Sequence, residues 1–196
     1  MGVVKLSESM IENDTALLLI DIQKGLDEWD FYGGNRNNHE AETNAAKILD
    51  LWRSSNGLVV HVRHSSQNPN SPLHASKPGF AIKELVAPKA NELVFTKNVN
   101  SAFIGTELER TLREAQVSKL IVVGLTTNHC VSTSVRMASN LGFEVNLIED
   151  ACATFDFIGS QGQKFDAELM HQTALASLKD EFANLMTTAN FLENKW

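Results

Sequence analysis

A three-layer α/β/α sandwich built on a parallel sheet is the fold class this sequence predicts, and three observations predict it. Short, wholly apolar runs recur along the chain. Single segments of helical periodicity separate them. No repeat, low-complexity tract or linker interrupts the rhythm, so residues 1–196 read as one domain. Apolar runs buried on both faces are typical of parallel sheets, and single intervening helices give right-handed crossovers.

The first run, residues 16–20 (ALLLI), reads as a strand ending at Asp21. Residues 40–55 place Ala41, Ala45, Ile48, Leu49 and Trp52 at helical spacing, and Asn56-Gly57 stops that helix. Residues 58–62 and 92–96 read as the second and third strands. Residues 105–116 carry Leu108 and Leu112 at i, i+4 and read as a helix. Residues 119–124 (KLIVVG) are the fourth strand, and residues 130–140 a helix with Val131, Val135 and Ala138 inward. Residues 143–148 form the fifth strand. A helix over 164–179 is expected to turn Leu169, Ala174 and Leu178 inward. A short sixth strand over 184–187 and a last helical turn over 189–194 complete the series. Residues 65–80 break the pattern: they hold three of the four prolines and show no periodicity. Loops of that length in compact domains are usually functional or disordered.

Composition narrows the function. Seventeen Lys plus Arg against 24 Asp plus Glu leave a formal charge of -7, which argues against general nucleic-acid binding. No apolar run approaches the ~20 residues of a membrane span. Residues 1–10 lack the apolar centre of a signal peptide, and two cysteines make no disulfide framework. A soluble, cytoplasmic protein is the expectation.

In open α/β sheets ligands bind beyond the carboxyl ends of the strands. Asp21 follows the first strand, Lys97 the third, and Cys130 the fourth after residues 124–129 (GLTTNH). A thiol at a helix start, beside an ammonium, is expected to have a lowered pKa. A neighbouring carboxylate can serve it as base, and Lys97 can keep that carboxylate ionised. Each residue also has a plain structural reading: Asp21 as a cap, Lys97 as a solvated side chain, Cys130 as a small buried residue.

Three strings carry a resemblance. Residues 16–23 (ALLLIDIQ), Lys97 with Ser101-Ala102-Phe103 and Gly105-Thr106, and residues 124–131 (GLTTNHCV) resemble the motifs of the isochorismatase-like cysteine hydrolases. Asp150-Ala151 also matches, and the likeness spans about residues 14–187. It implies a six-stranded parallel sheet of order 3-2-1-4-5-6 and a catalytic triad of Asp21, Lys97 and Cys130. It further implies a cis peptide before Thr126 and an oxyanion hole made by the Thr126 and Cys130 N–H groups. The implied activity is hydrolysis of a small-molecule amide-type C–N bond through a Cys130 thioester, with no cofactor. Dimers or tetramers are common in the family, so a homo-oligomer is expected.

Departures from the family bear on the subclass. Nicotinamidases of this family build a metal site on an Asp-x-His motif after the second strand. Here the region reads His61-Val62-Arg63-His64, without the aspartate. His61, His64 and His74 make a poor metal set, since residues three apart on a strand face opposite ways; no metal is expected. Vinyl-ether-cleaving isochorismatases need no thiol nucleophile, so Cys130 favours amide hydrolysis. A catalytically silent binding homologue is the remaining alternative. Gln23, Phe103, Asn128 and Phe157 adjoin the motifs and are expected to bind substrate. Trp29, Phe31 and Tyr32 are expected in an aromatic wall or a subunit contact. His129 invites a dyad with Cys130, and Cys152 a redox pair; inert roles are favoured for both. The loop over 65–80 is expected to close over the site or reach a neighbouring subunit.

Overall fold

The computed structural model of the chain describes residues 13–193. The expectations for residues 1–10 and for Asn194 lie outside that range. In chain order the elements are β1 (Thr15–Ile20), α1 (Trp29–Tyr32), α2 (Ala41–Ser54), β2 (Leu58–His64), β3 (Leu93–Lys97) and α3 (Leu108–Glu114). There follow β4 (Lys119–Leu125), α4 (Ser132–Asn140), β5 (Glu144–Ala153), β6 (Phe157–Ile158), β7 (Lys164–Phe165), α5 (Ala167–Ala176), β8 (Asn184–Met186) and α6 (Thr188–Leu192).

Six strands form one parallel sheet in the order β3-β2-β1-β4-β5-β8. This is the expected order; the sixth sheet strand is the eighth in the chain because the antiparallel β6–β7 hairpin intervenes. All six residues of β1 are buried, as its apolar run requires at the centre of the sheet. Its side chains alternate between two cores. Ala16, Leu18 and Ile20 join Leu120 and Val122 beneath α3, α4 and α5. Leu17 and Leu19 join Ile121 and Val123 beneath α2 and α6. The period of two along the strands therefore builds the three layers.

The α2 pattern is realised as read, with Ala41, Ala45, Ile48, Leu49 and Trp52 all buried. Burying one such leucine stabilises by about 1.5–3 kcal/mol. The helix ends where Asn56 takes φ 55° and Gly57 lies against the Trp52 indole. A Cβ on Gly57 would stand 2.5 Å from the indole nitrogen.

Four boundaries differ from the sequence reading. The fifth strand runs on to Ala153, carrying the backbone toward the site. The helix over 164–179 is shorter, because Lys164–Phe165 pairs with Phe157–Ile158 and Asp166 caps α5 through the Leu169 N–H. That start changes the phase: Ala167, His171 and Leu175 face inward, and Leu169 is exposed. The helix over 105–116 contracts to α3. Cys130 lies in a wide π-helical turn, Thr127–Val131, that precedes α4. Among the described residues no helix is long and apolar enough to cross a membrane.

Candidate active site

Three strand ends converge. Asp21 directly follows β1 with φ 52°, a left-handed conformation that Asp tolerates better than most residues. Its N–H donates to Val62 O (2.8 Å), and Gln23 N closes the turn on Asp21 O (2.8 Å). Lys97 ends β3 and pairs in register with His64, the last residue of β2. Cross-strand partners share a face of the sheet, so the register itself brings the two side chains together. At the end of β4 the Leu125–Thr126 peptide is cis, and the π-helical turn then presents Cys130. β4 approaches β1 closely here: a Cβ on Gly124 (φ 138°) would lie 2.1 Å from Ile20 O.

Lys97 is the hub. Its Nζ donates to Asp21 Oδ2 at 2.7 Å, to Cys130 Sγ at 3.1 Å and to His64 Nδ1 at 3.2 Å. Lys97 is 1% exposed and Asp21 2%. A charge so buried persists only when paired and hydrogen-bonded. Asp21 Oδ1 is buried with no hydrogen-bond partner, which leaves an unused acceptor on the carboxylate. Donor atoms of Asp21, His64 and Cys130 lie within 4.8 Å of one another, a spacing that suits a metal ion. The Lys97 ammonium already touches all three and is the cation they share.

The expected fall in the thiol pKa is overturned. Burial raises the Cys130 pKa above its ordinary value, and the Asp21 charge raises it further. Lys97 opposes both without prevailing. The physical reason is desolvation: the thiolate would form in a pocket where one carboxylate already holds the ammonium. Cys130 therefore rests as a thiol beside its candidate base.

A cavity of about 340 Å³ opens above these groups. Leu26, Phe31, Tyr32, Leu73, Phe155 and Phe157 supply an apolar, largely aromatic wall. His64, Ser66, Ser71, Asn100 and His129 supply polar atoms, and Leu125, Thr126 and Cys130 line it from the turn. Burial raises the Tyr32 pKa to about 12. Its hydroxyl makes no hydrogen bond of ordinary geometry, although Ser71 is close enough to lower its pKa in part. A larger cavity, about 610 Å³, sits among Asn13, Arg53, Lys89 and Glu92 at the amino ends of the strands. None of Asp21, Lys97 and Cys130 lines it.

Asp21, Thr126, Cys130 and Phe157 meet at the first cavity, with Lys97 beneath it. Gln23, Phe103 and Asn128 are not on its wall. Gln23 is wholly buried and clamps the backbone of His64: its Oε1 accepts from His64 N (2.7 Å) and its Nε2 donates to His64 O (3.0 Å). Phe103 stacks on Phe143 in the core. Asn128 Oδ1 accepts from the Thr154 hydroxyl. Gln23 thus holds the end of β2, Asn128 ties the turn to the residue after β5, and Phe103 packs in the core.

The three histidines considered for a metal diverge. His61 is buried against Glu92 (2.9 Å), His74 meets Ser76 (2.8 Å), and His64 alone faces the site. His129 packs edge-on against the Phe157 ring. Cys152 is fully buried opposite Gly124 in the sheet. Phe31 and Tyr32 form the aromatic wall, whereas Trp29 stacks on His39. The loop over 65–80 contributes Ser66, Ser71 and Leu73 to the cavity. Sequence reasoning missed His64. It terminates β2 as Lys97 terminates β3, so the strand-end rule that found Lys97 applies to it equally.

Comparison with known proteins yields the following likenesses. The Isochorismatase domain family matches residues 15–190. The isochorismatase family protein YrdC of Bacillus subtilis (strain 168) is 44% identical over 184 residues, 94% of this chain and 97% of that protein. A streptothricin hydrolase of Streptomyces noursei is 32% identical over 148 residues, 72% of this chain and 50% of that protein. The crystal structure of an isochorismatase-family protein from Chromobacterium violaceum ATCC 12472 superposes with a TM-score of 0.88 at 40% identity. That match covers 93% of this chain and 94% of the other.

Proposed function

The chain belongs to the isochorismatase family, and from that premise we propose that it is a cysteine hydrolase cleaving an amide-type C–N bond of a small molecule. The observation that carries this reading is the Lys97 ammonium joining Asp21 Oδ2 (2.7 Å) to Cys130 Sγ (3.1 Å) at the floor of the cavity. Substrate enters with its carbonyl carbon facing the sulfur. Asp21 takes the Cys130 proton as the S–C bond forms, and Lys97 balances the migrating charge. The oxyanion rests on the Thr126 and Cys130 N–H groups. Asp21 returns the proton to the leaving nitrogen, the C–N bond breaks, and a thioester remains. Asp21 then takes a proton from water, hydroxide adds to the thioester, and the thiolate departs and is reprotonated. The products are a carboxylic acid and ammonia or an amine. The similarity to a streptothricin hydrolase supports hydrolysis at family level.

Vinyl-ether hydrolysis of isochorismate is the second reading, and one observation weighs against it. Among the described residues, no lysine or arginine lines the cavity, and Lys97 beneath it has its three N–H groups engaged. A dianionic substrate would lose hydration there without a compensating cation.

The test is ammonia release from a panel of small primary amides, including nicotinamide and ureido acids, with Cys130→Ala alongside and a chelator arm. Release that disappears with Cys130→Ala and persists with chelator supports the proposal. An acyl adduct on Cys130, seen by mass spectrometry after acid quench, supports the thioester. Silence across the panel from folded protein, with turnover of isochorismate, would overturn it.

A further inference from the structure

We propose that His64 is a positioning residue for Lys97: its neutral imidazole is the third acceptor that keeps the ammonium shared between Asp21 and Cys130. An ammonium has three donors and no acceptor. Lys97 is too buried for water to satisfy any of them, and the three partners found, Asp21, Cys130 and His64, match the number of N–H groups. The placement of His64 is over-determined. Cross-strand register sets it beside Lys97, and the Gln23 side chain grips its backbone N–H and C=O together. Because Nδ1 faces an ammonium, it must accept, so the ring proton sits on Nε2. The Val99 backbone lies close enough to the ring to raise its pKa in part. Histidine rings held in one orientation by their surroundings are a familiar arrangement around metals. Here the ammonium stands where a metal would.

The charged and titratable groups facing the ring come from three elements: Asp21 after β1, Lys97 at the end of β3, and Cys130 in the turn before α4. Protonating His64 would convert Nδ1 into a donor and set a second cation against Lys97. Burial and the Lys97 charge both hold the imidazole below its ordinary pKa, which keeps the accepting form in place at neutral pH. Without that acceptor one N–H of Lys97 is orphaned. The ammonium then settles on the carboxylate and slackens on sulfur, and the thiolate becomes harder to form.

Alkylation of Cys130 by iodoacetamide, followed by mass spectrometry against pH, reads this without any substrate. In His64→Leu the rate profile moves to higher pH, and the rate at pH 8 falls roughly tenfold or more. His64→Asn offers a carbonyl acceptor that does not titrate and stays near the parent rate. The same substitution flattens the acid limb of kcat/KM that His64 contributes below pH 6.5. A His64→Leu protein that melts like the parent yet shows an unchanged alkylation profile overturns the proposal. So does an ¹⁵N imidazole spectrum of the unsubstituted protein placing the His64 proton on Nδ1 at pH 7, a measurement independent of how any variant folds. The proposal draws on the hydrolase reading only for its kinetic arm. Alkylation that behaves as stated, with no amide turned over, would sink that reading and leave the positioning role intact.

Discussion

His171 Nδ1 lies 2.8 Å from Thr127 Oγ1, a buried contact that ties α5 to the turn presenting Cys130. Asn38 Nδ2 stands 3.3 Å from the other ring nitrogen and donates to Cys152 O as well. With Asn38 donating, Nε2 accepts and Nδ1–H donates to the threonine. His171→Leu leaves the buried Thr127 hydroxyl without its ring partner, while Asn38 keeps the Cys152 and Glu149 carbonyls, and it is expected to cost about 1–3 kcal/mol of stability. It should also lower kcat more than it raises KM, because the turn loses its anchor. Urea unfolding and steady-state kinetics check the two effects; His171→Gln, which keeps a donor and an acceptor, should recover most of both.

Stability should decline as the solution is acidified through the histidine range. His61, His64, His129 and His171 all have pKa values lowered chiefly by burial. A histidine with a lowered folded-state pKa binds its proton less readily folded than unfolded. Its contribution is complete above the unfolded value near 6.5 and is lost as pH falls below it. Glu42 and Glu92 act in a lower window. Arg36 and Lys83 hold the Glu42 carboxyl at about 2 against its burial, and Arg53 and His61 hold Glu92 at about 2. Their contribution disappears as pH drops from about 4.5 toward 2. Urea midpoints measured from pH 8 to 3 should fall in two stages, and a flat profile between pH 7 and 5.5 would contradict the first.

Gly124→Ala should damage the fold and the site together. At φ 138° an L side chain is strained, and the new Cβ would sit 2.1 Å from the Ile20 carbonyl oxygen. That contact lies between the two central strands, one residue from Asp21. A loss of at least roughly 1–3 kcal/mol is expected from backbone strain alone. Thermal unfolding should register it, with Cys130 alkylation altered in whatever fraction remains folded.

What could be read from sequence follows the physics of each signal. The ALLLI run, the α2 stripe and the strand-end positions of Asp21, Lys97 and Cys130 are local patterns with tertiary consequences, and the structure places them as read. Helix phase at α5 failed because the β6–β7 pairing, a non-local contact, displaced its start. The direction of the Cys130 pKa failed for a related reason. The helix-end and ammonium arguments were local, whereas burial and the Asp21 charge arise only in the folded pocket. His64 is hidden in the sequence by its neighbours His61 and His74, which suggest a histidine cluster that the folded strands disperse. Gln23 was legible as important but not in its role, since a side chain clamping a backbone 41 residues away leaves no periodic trace.

Lys97 and Asp21 should prove more costly to remove singly than together. Lys97→Met leaves a buried carboxylate without its cation, and breaking such a pair typically costs about 3–5 kcal/mol. Asp21→Asn leaves the ammonium with neutral partners alone, the new amide oxygen, His64 and the thiol, and should be destabilising in turn. The double substitution Asp21→Asn with Lys97→Met removes both charges, and apolar or neutral replacement of a buried pair is often close to neutral. Its unfolding free energy should therefore exceed that of Lys97→Met, which a double-mutant cycle in urea would measure. Hydrolysis should be absent from all three, because the proton acceptor for Cys130, or the cation paired with it, is gone. An additive cycle would mean that the 2.7 Å contact contributes nothing to stability, and turnover in the double variant would remove Asp21 from the proposed mechanism.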